Sequence, residues 1–274
     1  MKLTDITIGI ISANREDMLL SLLRSLPGLK HRCKILLIEN SGNMSASQEF
    51  EDALAFLEYV GFEVGCTWQK QGQTMFQLRQ QLLERCPTRY MWMIDDDVAL
   101  VGDPLDTFLQ MQRGLPDAII SGNFGYLQGS KIDIRNTEGY DDWQIAATSI
   151  SLAVGNIPRW FYDYSTLVIA DTCVMDCGNV FLDVKRALEV RGFKVPKVLD
   201  KQEYTGEDVL MGARLASNYC CLFASNLKVY HFPKSKMRFK TKDPRWLLNS
   251  KVDLGISEEI KERLDAFYGS KFGD

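Results

Sequence analysis

The segment Tyr90–Val98, with the sequence YMWMIDDDV, decides the fold class, because an apolar run ends directly in three acidic residues. The run Tyr90–Ile94 is typical of a buried strand. The carboxylates of Asp95–Asp97 repel one another and need a positive group nearby to be stable side by side. A strand that ends in such a cluster predicts a binding site at the edge of a sheet.

The chain before this segment alternates between strand and helix patterns. Short β-branched or apolar runs predict strands at residues 7–12, 34–39, 62–67 and 90–94. Apolar residues at helical spacing predict helices near residues 14–26, 50–60 and 75–85, the first starting at Asn14 with Asp17 as a capping partner. Repetition of strand and helix with short links predicts an α/β fold with a mostly parallel sheet and helices on both faces.

Polar residues follow three of the predicted strands. Ser12 to Asn14, Glu39-Asn40 and Asp95–Asp97 stand at strand ends, and ligands of such sheets bind at the carboxyl ends of the strands. If the strand alternation continues, Asp95 and Asp97 point to one side and Asp96 to the other. Two carboxylates on one side suit a hard cation such as Mg²⁺ or Mn²⁺. The alternative is a solvated acidic turn.

The pattern is less regular after residue 120. Residues 121–165 are rich in Gly, Asn, Asp and aromatic residues. The aromatic residues are either ordinary core or a platform on which an acceptor stacks. Further helices are predicted at residues 183–190, 207–216 and 258–268, and a strand at residues 227–231.

Composition limits the classes of function. The 274 residues carry a net charge of −4, which disfavours a generic nucleic-acid binder. Residues 228–251 nevertheless hold eight Lys/Arg against one acid, Asp243. This basic segment is either a solvated surface or the part that meets an anion. Seven cysteines without paired CxxC motifs predict reduced thiols and a cytoplasmic location. We also expect no membrane segment, because no apolar run reaches the roughly 18–20 residues that a span requires.

Four segments together resemble glycosyltransferases of family 2. TIGIISANRED (7–17) is similar to the first strand and turn of these enzymes, and MWMIDDDV (91–98) to their Asp-x-Asp motif. TGEDVLMGARLA (205–216) resembles their Gly-Glu-Asp motif at the start of a helix, and VYHFP (229–233) is similar to a late histidine that binds metal. The segments occur in family order. The resemblance implies a Rossmann-like GT-A fold, a single domain with a fused acceptor lobe, and a hexosyl- or related transferase.

The resemblance also implies a role for individual residues. A nucleotide-sugar donor would be held by Ser12, Asn14, Glu39, Arg79, Asp95 and Asp96. The cofactor Mn²⁺ or Mg²⁺ would be bound by Asp97, Asp95 and His231. Asp208 would be the general base and Glu207 would orient it or the acceptor. Gly178 and Asn179 would form a loop under the donor sugar, and Lys234 and Lys236 would clamp the diphosphate.

The sequence departs from the family at the base-binding positions. Ala13 stands in place of the usual aromatic residue, and Glu39-Asn40 in place of the usual pair of aspartates. The nucleotide is therefore open, with UDP expected because it is the commonest in such folds. Inversion at the anomeric carbon follows from the resemblance alone. The acceptor is also open between a glycan, a peptide, a small metabolite and, with lowest weight, a modified nucleic-acid base.

The expected division places the nucleotide-sugar half at residues 1–125, the acceptor-binding half at 126–250 and a C-terminal helix at 251–274. Two other classes of function remain open. A nucleotidyltransferase also joins such a sheet to an acidic metal site, but its loop after the first strand is glycine-rich, whereas SANRED has no glycine. A non-catalytic protein that binds sugar nucleotides is the other. A dinucleotide oxidoreductase is disfavoured because no GxGxxG follows the first strand.

Overall fold

A central sheet with helices on both faces organises the chain. The computed structural model describes residues 6–41, 47–69, 72–100, 102–128, 131–132, 169–175, 177–197, 199–200, 206–231 and 251–272. The strands are β1 (Ile6–Ser12), β2 (Lys34–Glu39), β3 (Glu63–Trp68), β4 (Tyr90–Asp95), β5 (Val98–Ala99), β6 (Ile119–Gln128), β7 (Lys131–Ile132), β8 (Ile169–Asp171), β9 (Asn179–Asp183) and β10 (Cys221–His231). The helices are α1 (Glu16–Ser25), α2 (Gln48–Tyr59), α3 (Met75–Arg85), α4 (Pro104–Gly114), α5 (Val184–Glu189), α6 (Glu207–Ala216) and α7 (Glu258–Phe272).

The strands follow the order β3-β2-β1-β4-β9-β6-β10-β5, with β7 beside β6 and β8 beside β10. The first four neighbours in that order are parallel, as are β6 and β10. Strand β9 lies antiparallel between β4 and β6. The predicted α/β class with a mostly parallel sheet is confirmed.

Each face of the sheet buries its own core. Alternate residues of β4 face opposite sides. Trp92 belongs to the core formed with residues of helices α1, α2 and α4, and Met91 and Met93 belong to the core formed with residues of α3, α5, α6 and α7. All three side chains are fully buried. The two cores hold the strand ends in place from both sides.

The predicted start of helix α1 is wrong. The helix begins at Glu16, and Asn14 lies in the left-handed region with φ 56°. Arg15 occupies the N-cap position, where its side chain makes no capping bond. The chain therefore leaves β1 through a tight non-helical turn, which sends Arg15 toward the end of β4 instead of into the first helical turn.

Other elements differ in extent. Strand β10 begins at Cys221, six residues before the predicted strand, and α4, β6 and β9 are not among the elements predicted from the sequence. In the part of the chain that the structure describes, no helix has both the length and the apolar character to cross a bilayer.

Candidate active site

The carboxyl ends of β1, β2 and β3 meet at one edge of the sheet. Ser12 pairs with Glu39 at the last register position of β1 and β2. The backbone N–H of Asn40 donates to the carbonyl of Ser12 over 2.9 Å, and that of Gln69 donates to the carbonyl of Glu39 over 2.8 Å. Glu39 is fully buried, and both its carboxylate oxygens accept from the N–H of Ser41 over 3.0 Å. The edge is thus a fixed polar rim.

Arg15 joins this rim to the acidic residues after β4. Its Nη2 lies 2.5 Å from Oδ1 of Asp96, and its Nη1 donates to Oδ2 of Asp97 over 3.0 Å. The hydroxyl of Ser12 donates to Oδ2 of Asp96 over 2.6 Å. Asp96 and Asp97 are 0% and 1% exposed, whereas the Arg15 side chain is 27% exposed. We call these four residues the Arg15 cluster.

No role was predicted for Arg15 from the sequence. The available signal was the requirement of three adjacent carboxylates for a positive neighbour, together with a lone arginine in the turn after β1. A guanidinium matches this need, since its planar fork can bond two carboxylates at once.

The predicted alternation of the three aspartates is wrong. Asp96 and Asp97 share Arg15, while Asp95 turns to Arg79. Strand β4 ends at Asp95, and a turn follows before β5. The two-residue period holds only in extended backbone, so it does not extend to Asp96 and Asp97.

The surroundings of Asp96 disfavour its charge. Burial raises the pKa of Asp96 to about 7, against the opposing effect of Arg15 and of the bond from Ser12, and the neighbouring Asp97 and Asp95 raise it further. The guanidinium of Arg15 therefore faces two neighbouring acidic groups, Asp96 and Asp97, at once.

A second cluster forms around Arg79 of helix α3. Its Nη1 donates to the carbonyl of Cys177 over 2.9 Å, and its Nη2 donates to Oδ1 of Asp95 over 3.4 Å. Two further acids lie close, with 3.8 Å from Nε to Oε1 of Glu207 and 4.0 Å from Nη2 to Oδ1 of Asp208. Only 5% of the Arg79 side chain is exposed. We call these residues the Arg79 cluster.

Asp208 is fixed by the start of helix α6. Gly206 precedes the helix with φ 123°, a conformation that L side chains rarely adopt. The N–H of Cys177 donates to Oδ1 of Asp208 over 3.1 Å, and the N–H of Gly206 donates to Oε2 of Glu207 over 3.1 Å. Burial, and next the adjacent Glu207, raise the pKa of Asp208, while Arg79 opposes the rise. The carboxylate of Asp208 can therefore bind and release a proton near neutral pH.

The predicted pair Gly178 and Asn179 divides between two surroundings. The carbonyl of Gly178 accepts from the N–H of Asp95 over 3.2 Å, so this loop lies beside the acidic end of β4. The side chain of Asn179 is fully buried, accepting from Nε1 of Trp92 over 3.1 Å and donating to the carbonyl of Leu227 over 2.9 Å. This placement supports a structural role for the amide instead of a contact with a donor sugar.

The remaining predicted residues are placed in part. His231 ends β10, and its backbone pairs with Val98, the residue that follows Asp97. Asn14 is exposed on the turn after β1. Lys234 and Lys236 lie outside the described residues.

The side chains at this edge include ligand types that suit a divalent cation. Within the described ranges, no group of three His, Cys, Asp or Glu side chains has the arrangement of a metal site. The Arg15 cluster nonetheless brings two buried carboxylates, Asp96 and Asp97, together at this edge. Carboxylate oxygens are the preferred ligands of Mg²⁺ and suit Mn²⁺. The backbone of His231 reaches the same edge.

Comparison with solved structures shows that the fold is that of GT-A-type glycosyltransferases. Residues 1–349 of S. aureus TarS in complex with UDP-GlcNAc match with a TM-score of 0.63 at 9% identity, over 98% of this chain and 73% of that one. The complex of the same protein with UDP matches with a TM-score of 0.60 at 11% identity, over 98% and 72%. The mannosyltransferase PcManGT from Pyrobaculum calidifontis, in complex with GDP-Man and Mn²⁺, matches with a TM-score of 0.59 at 8% identity, over 98% and 70%.

No family model and no curated protein sequence matches the chain. The likeness therefore lies in the backbone, and the side chains described above have to carry the argument for function.

Proposed function

We propose that this protein is a family 2-like glycosyltransferase that moves a sugar from a nucleoside-diphosphate sugar to an acceptor hydroxyl. One observation carries the proposal. Arg79 contacts Asp95, at the end of the acidic strand, and also lies within ion-pair distance of Glu207 and Asp208. The proposed donor site and the candidate base would thus be joined through one buried side chain, on a fold shared with solved glycosyltransferases.

The donor would lie over the ends of β1, β2 and β4. Ser12 and Glu39 form the rim there, and Asn14, Asp95 and Asp96 flank it. The solved relatives hold UDP, UDP-GlcNAc or GDP-Man, so the shared fold accepts more than one nucleotide. UDP is the first choice for this chain because it is the commonest donor nucleotide of such folds.

Mn²⁺ or Mg²⁺ would be held by Asp97 and Asp95, with His231 as the third ligand. The buried carboxylate of Asp97 beside Arg15, the position of Asp95 at the end of β4 and the backbone pairing of His231 with Val98 support this set. The solved PcManGT complex contains Mn²⁺. When bound, the cation would neutralise charge on the departing diphosphate. Lys234 and Lys236, which follow His231 in the basic segment, would add to that charge stabilisation.

On the acceptor side, Asp208 would accept the proton of the attacking hydroxyl. Its pKa is raised by burial and by Glu207, and a base of neutral pKa is efficient at neutral pH. Glu207, which is bonded to the helix start at Gly206, would orient the acceptor. The N–H of Cys177 and the guanidinium of Arg79 keep Asp208 in place. The outcome would be inversion, and the loop at Gly178 would lie under the donor sugar.

Thermal unfolding with nucleotides tests the donor site. UDP, GDP, CDP, ADP and dTDP are each added with Mn²⁺ or with EDTA, because a ligand that binds only the native state raises its stability. We expect one nucleotide to raise the melting temperature in Mn²⁺ but not in EDTA, and Asp97→Asn to abolish the shift. Glu51→Gln, an exposed acid on α2, serves as the matched control and should keep it.

Adding nucleoside triphosphates to the same titration, together with an assay for nucleotide-sugar hydrolysis, separates the alternatives. A larger shift with nucleoside triphosphates than with diphosphates would favour a nucleotidyltransferase. A Mn²⁺-dependent shift without hydrolysis of any nucleotide sugar would favour a non-catalytic binding protein. Absence of any shift would contradict the donor site altogether.

A further inference from the structure

The turn after β1 places a permanent cation on the carboxylates proposed to bind metal. Arg15 lies 2.5 Å from Asp96 and donates over 3.0 Å to Asp97. Both acids are buried, and Asp96 is also fixed by Ser12. The Arg15 side chain is 27% exposed. Of the three charged groups, the guanidinium is therefore the one with access to solvent.

We propose that Arg15 is an internal counterion which neutralises Asp96 and Asp97 in the metal-free protein and is displaced from Asp97 when a divalent cation binds. The inference rests on the proposed role of Asp97 as a metal ligand. It adds to that role a competition between a side chain of the protein and its cofactor for the same carboxylate.

Charge and geometry both support competition. The buried carboxylates of Asp96 and Asp97 repel each other, and the guanidinium of Arg15, which contacts both, compensates this repulsion. A divalent cation at Asp97 would lie within a few ångström of Nη1, where like charges repel. The Arg15 side chain makes no capping bond to helix α1, so it can move while the carbonyl of Arg15 keeps the bond that it accepts from the N–H of Leu19.

Displacement of Arg15 has a consequence for the donor. A guanidinium that leaves Asp97 at the edge of the rim remains close to the ends of β1 and β4, where a diphosphate would lie. Arginine binds phosphate through paired hydrogen bonds. The same residue would thus stabilise the metal-free protein and then contact the donor after the metal is bound.

The test is the affinity of the whole protein for Mn²⁺ alone, without nucleotide, measured from the free Mn²⁺ signal in electron paramagnetic resonance. Arg15→Gln removes the competing cation, and we expect it to bind Mn²⁺ on the order of tenfold more tightly, as follows from the loss of one charge-assisted bond. Arg15→Lys keeps the positive charge but loses the two-pronged guanidinium, so its affinity for Mn²⁺ should lie between those of the wild type and Arg15→Gln. Arg24→Gln, which breaks the exposed pair with Glu49 farther along α1, is the matched control and should bind as the wild type does.

Each other result overturns the inference. A residue that only supports the local fold would weaken Mn²⁺ binding when replaced, so equal or weaker binding by Arg15→Gln contradicts competition while leaving the metal role of Asp97 intact. No Mn²⁺ binding by any of the four proteins removes both the competition and the metal from the proposed function. If circular dichroism shows that Arg15→Gln is unfolded, Arg15→Lys decides alone, and binding no tighter than wild type overturns the inference.

Discussion

Arg79 shows how one buried side chain connects distant parts of the sequence. It comes from α3, yet it contacts the end of β4, the carbonyl of Cys177 and the first turn of α6. Removing one partner of a buried ion pair lowers the free energy of unfolding, because the remaining charge is left buried without an opposite charge. The role of Arg79 is therefore as much structural as chemical.

Arg79→Ala should lower the free energy of unfolding by about 3 kcal/mol, the lower end for a broken buried pair, because Asp95 and Asp208 are partly exposed to water. Urea denaturation followed by circular dichroism measures the change. Arg24→Ala, which loses only an exposed pair, should change it by less than about 0.5 kcal/mol. Equal losses in the two variants would show that Arg79 contributes no more than a surface arginine.

Asp96 should make stability depend on pH in the metal-free protein. Its folded pKa is raised to about 7 from the ordinary value of 3.8, so the native state binds a proton that the unfolded chain releases. The stability that this proton contributes is present at acid pH and lost as the pH rises through the folded pKa, by up to about 1.4 kcal/mol per pH unit. Denaturation in EDTA from pH 4 to 8 should therefore show wild type losing stability relative to Asp96→Asn. Parallel curves would refute the raised pKa.

Asp208→Asn should reduce turnover by about 10² to 10⁴, the usual contribution of a general base, with little change in KM. Hydrolysis of the nucleotide sugar identified by thermal unfolding supplies the assay. The wild-type rate should rise with pH through neutrality and level off above it, since the base acts only when ionised and burial, with Glu207, raises its pKa to about 7. Glu258→Gln, at the start of α7, controls for an acid that merely caps a helix. A wild-type rate in Asp208→Asn would exclude it as the base.

At the scale of elements, the sequence predicts well where periodicity is strong. Strand β2 and helix α6 begin and end as predicted, because the apolar run Ile35–Ile38 is bounded by Lys34 and Glu39, and Glu207–Ala216 directly follows Gly206. Helix α4 was missed although Asp103 and Pro104 are a standard helix start, and the side chain of Asp103 does accept from Asp106. Strand β9 was missed because its five residues carry no alternation and are buried throughout.

The acidic residues of the site are predictable from the sequence, whereas the contacts that they make are not. The strand ends give the positions of Ser12, Glu39 and Asp95 directly. The pairing of Arg15 with Asp96 and Asp97 depends on a left-handed turn at Asn14 and on the end of β4, which no sequence period encodes. The partition of three adjacent aspartates between two arginines is a tertiary effect.

Helix α6 holds Asp208 in place by close packing at Gly212. A methyl group there would lie 2.6 to 2.8 Å from backbone atoms of Cys173, Val174 and Met175, which cannot move aside as a flexible side chain would. Gly212→Ala should therefore destabilise by about 1–3 kcal/mol, although alanine favours a helix by about 1 kcal/mol. Gly114→Ala, at the end of α4 with nothing within 4 Å, is the control and should not lose stability. Thermal unfolding compares the two, and a stabilised Gly212→Ala would show that α6 has room to shift.

At the scale of the whole molecule, the sheet does not follow chain order. Strand β4 has β1 on one side and β9 on the other, although β9 comes some eighty residues later in the chain. Trp92 in β4 donates to Asn179 in β9, so the core of the first half includes the second. The boundaries at residues 125 and 250 stay a prediction about binding roles, and the sheet itself is continuous.

This continuity predicts that residues 1–125 will not fold alone. The fragment would expose the β9-facing edge of β4, leave the indole of Trp92 without its buried acceptor and uncover Met91 and Met93, which pack against α6 and neighbouring elements in the full chain. An unpaired apolar edge strand also promotes aggregation. Far-UV circular dichroism and urea unfolding should show a single transition for the full chain and none for the fragment. A cooperative transition in the fragment would mean that the donor half is an independent domain, onto which β9 and β10 are added.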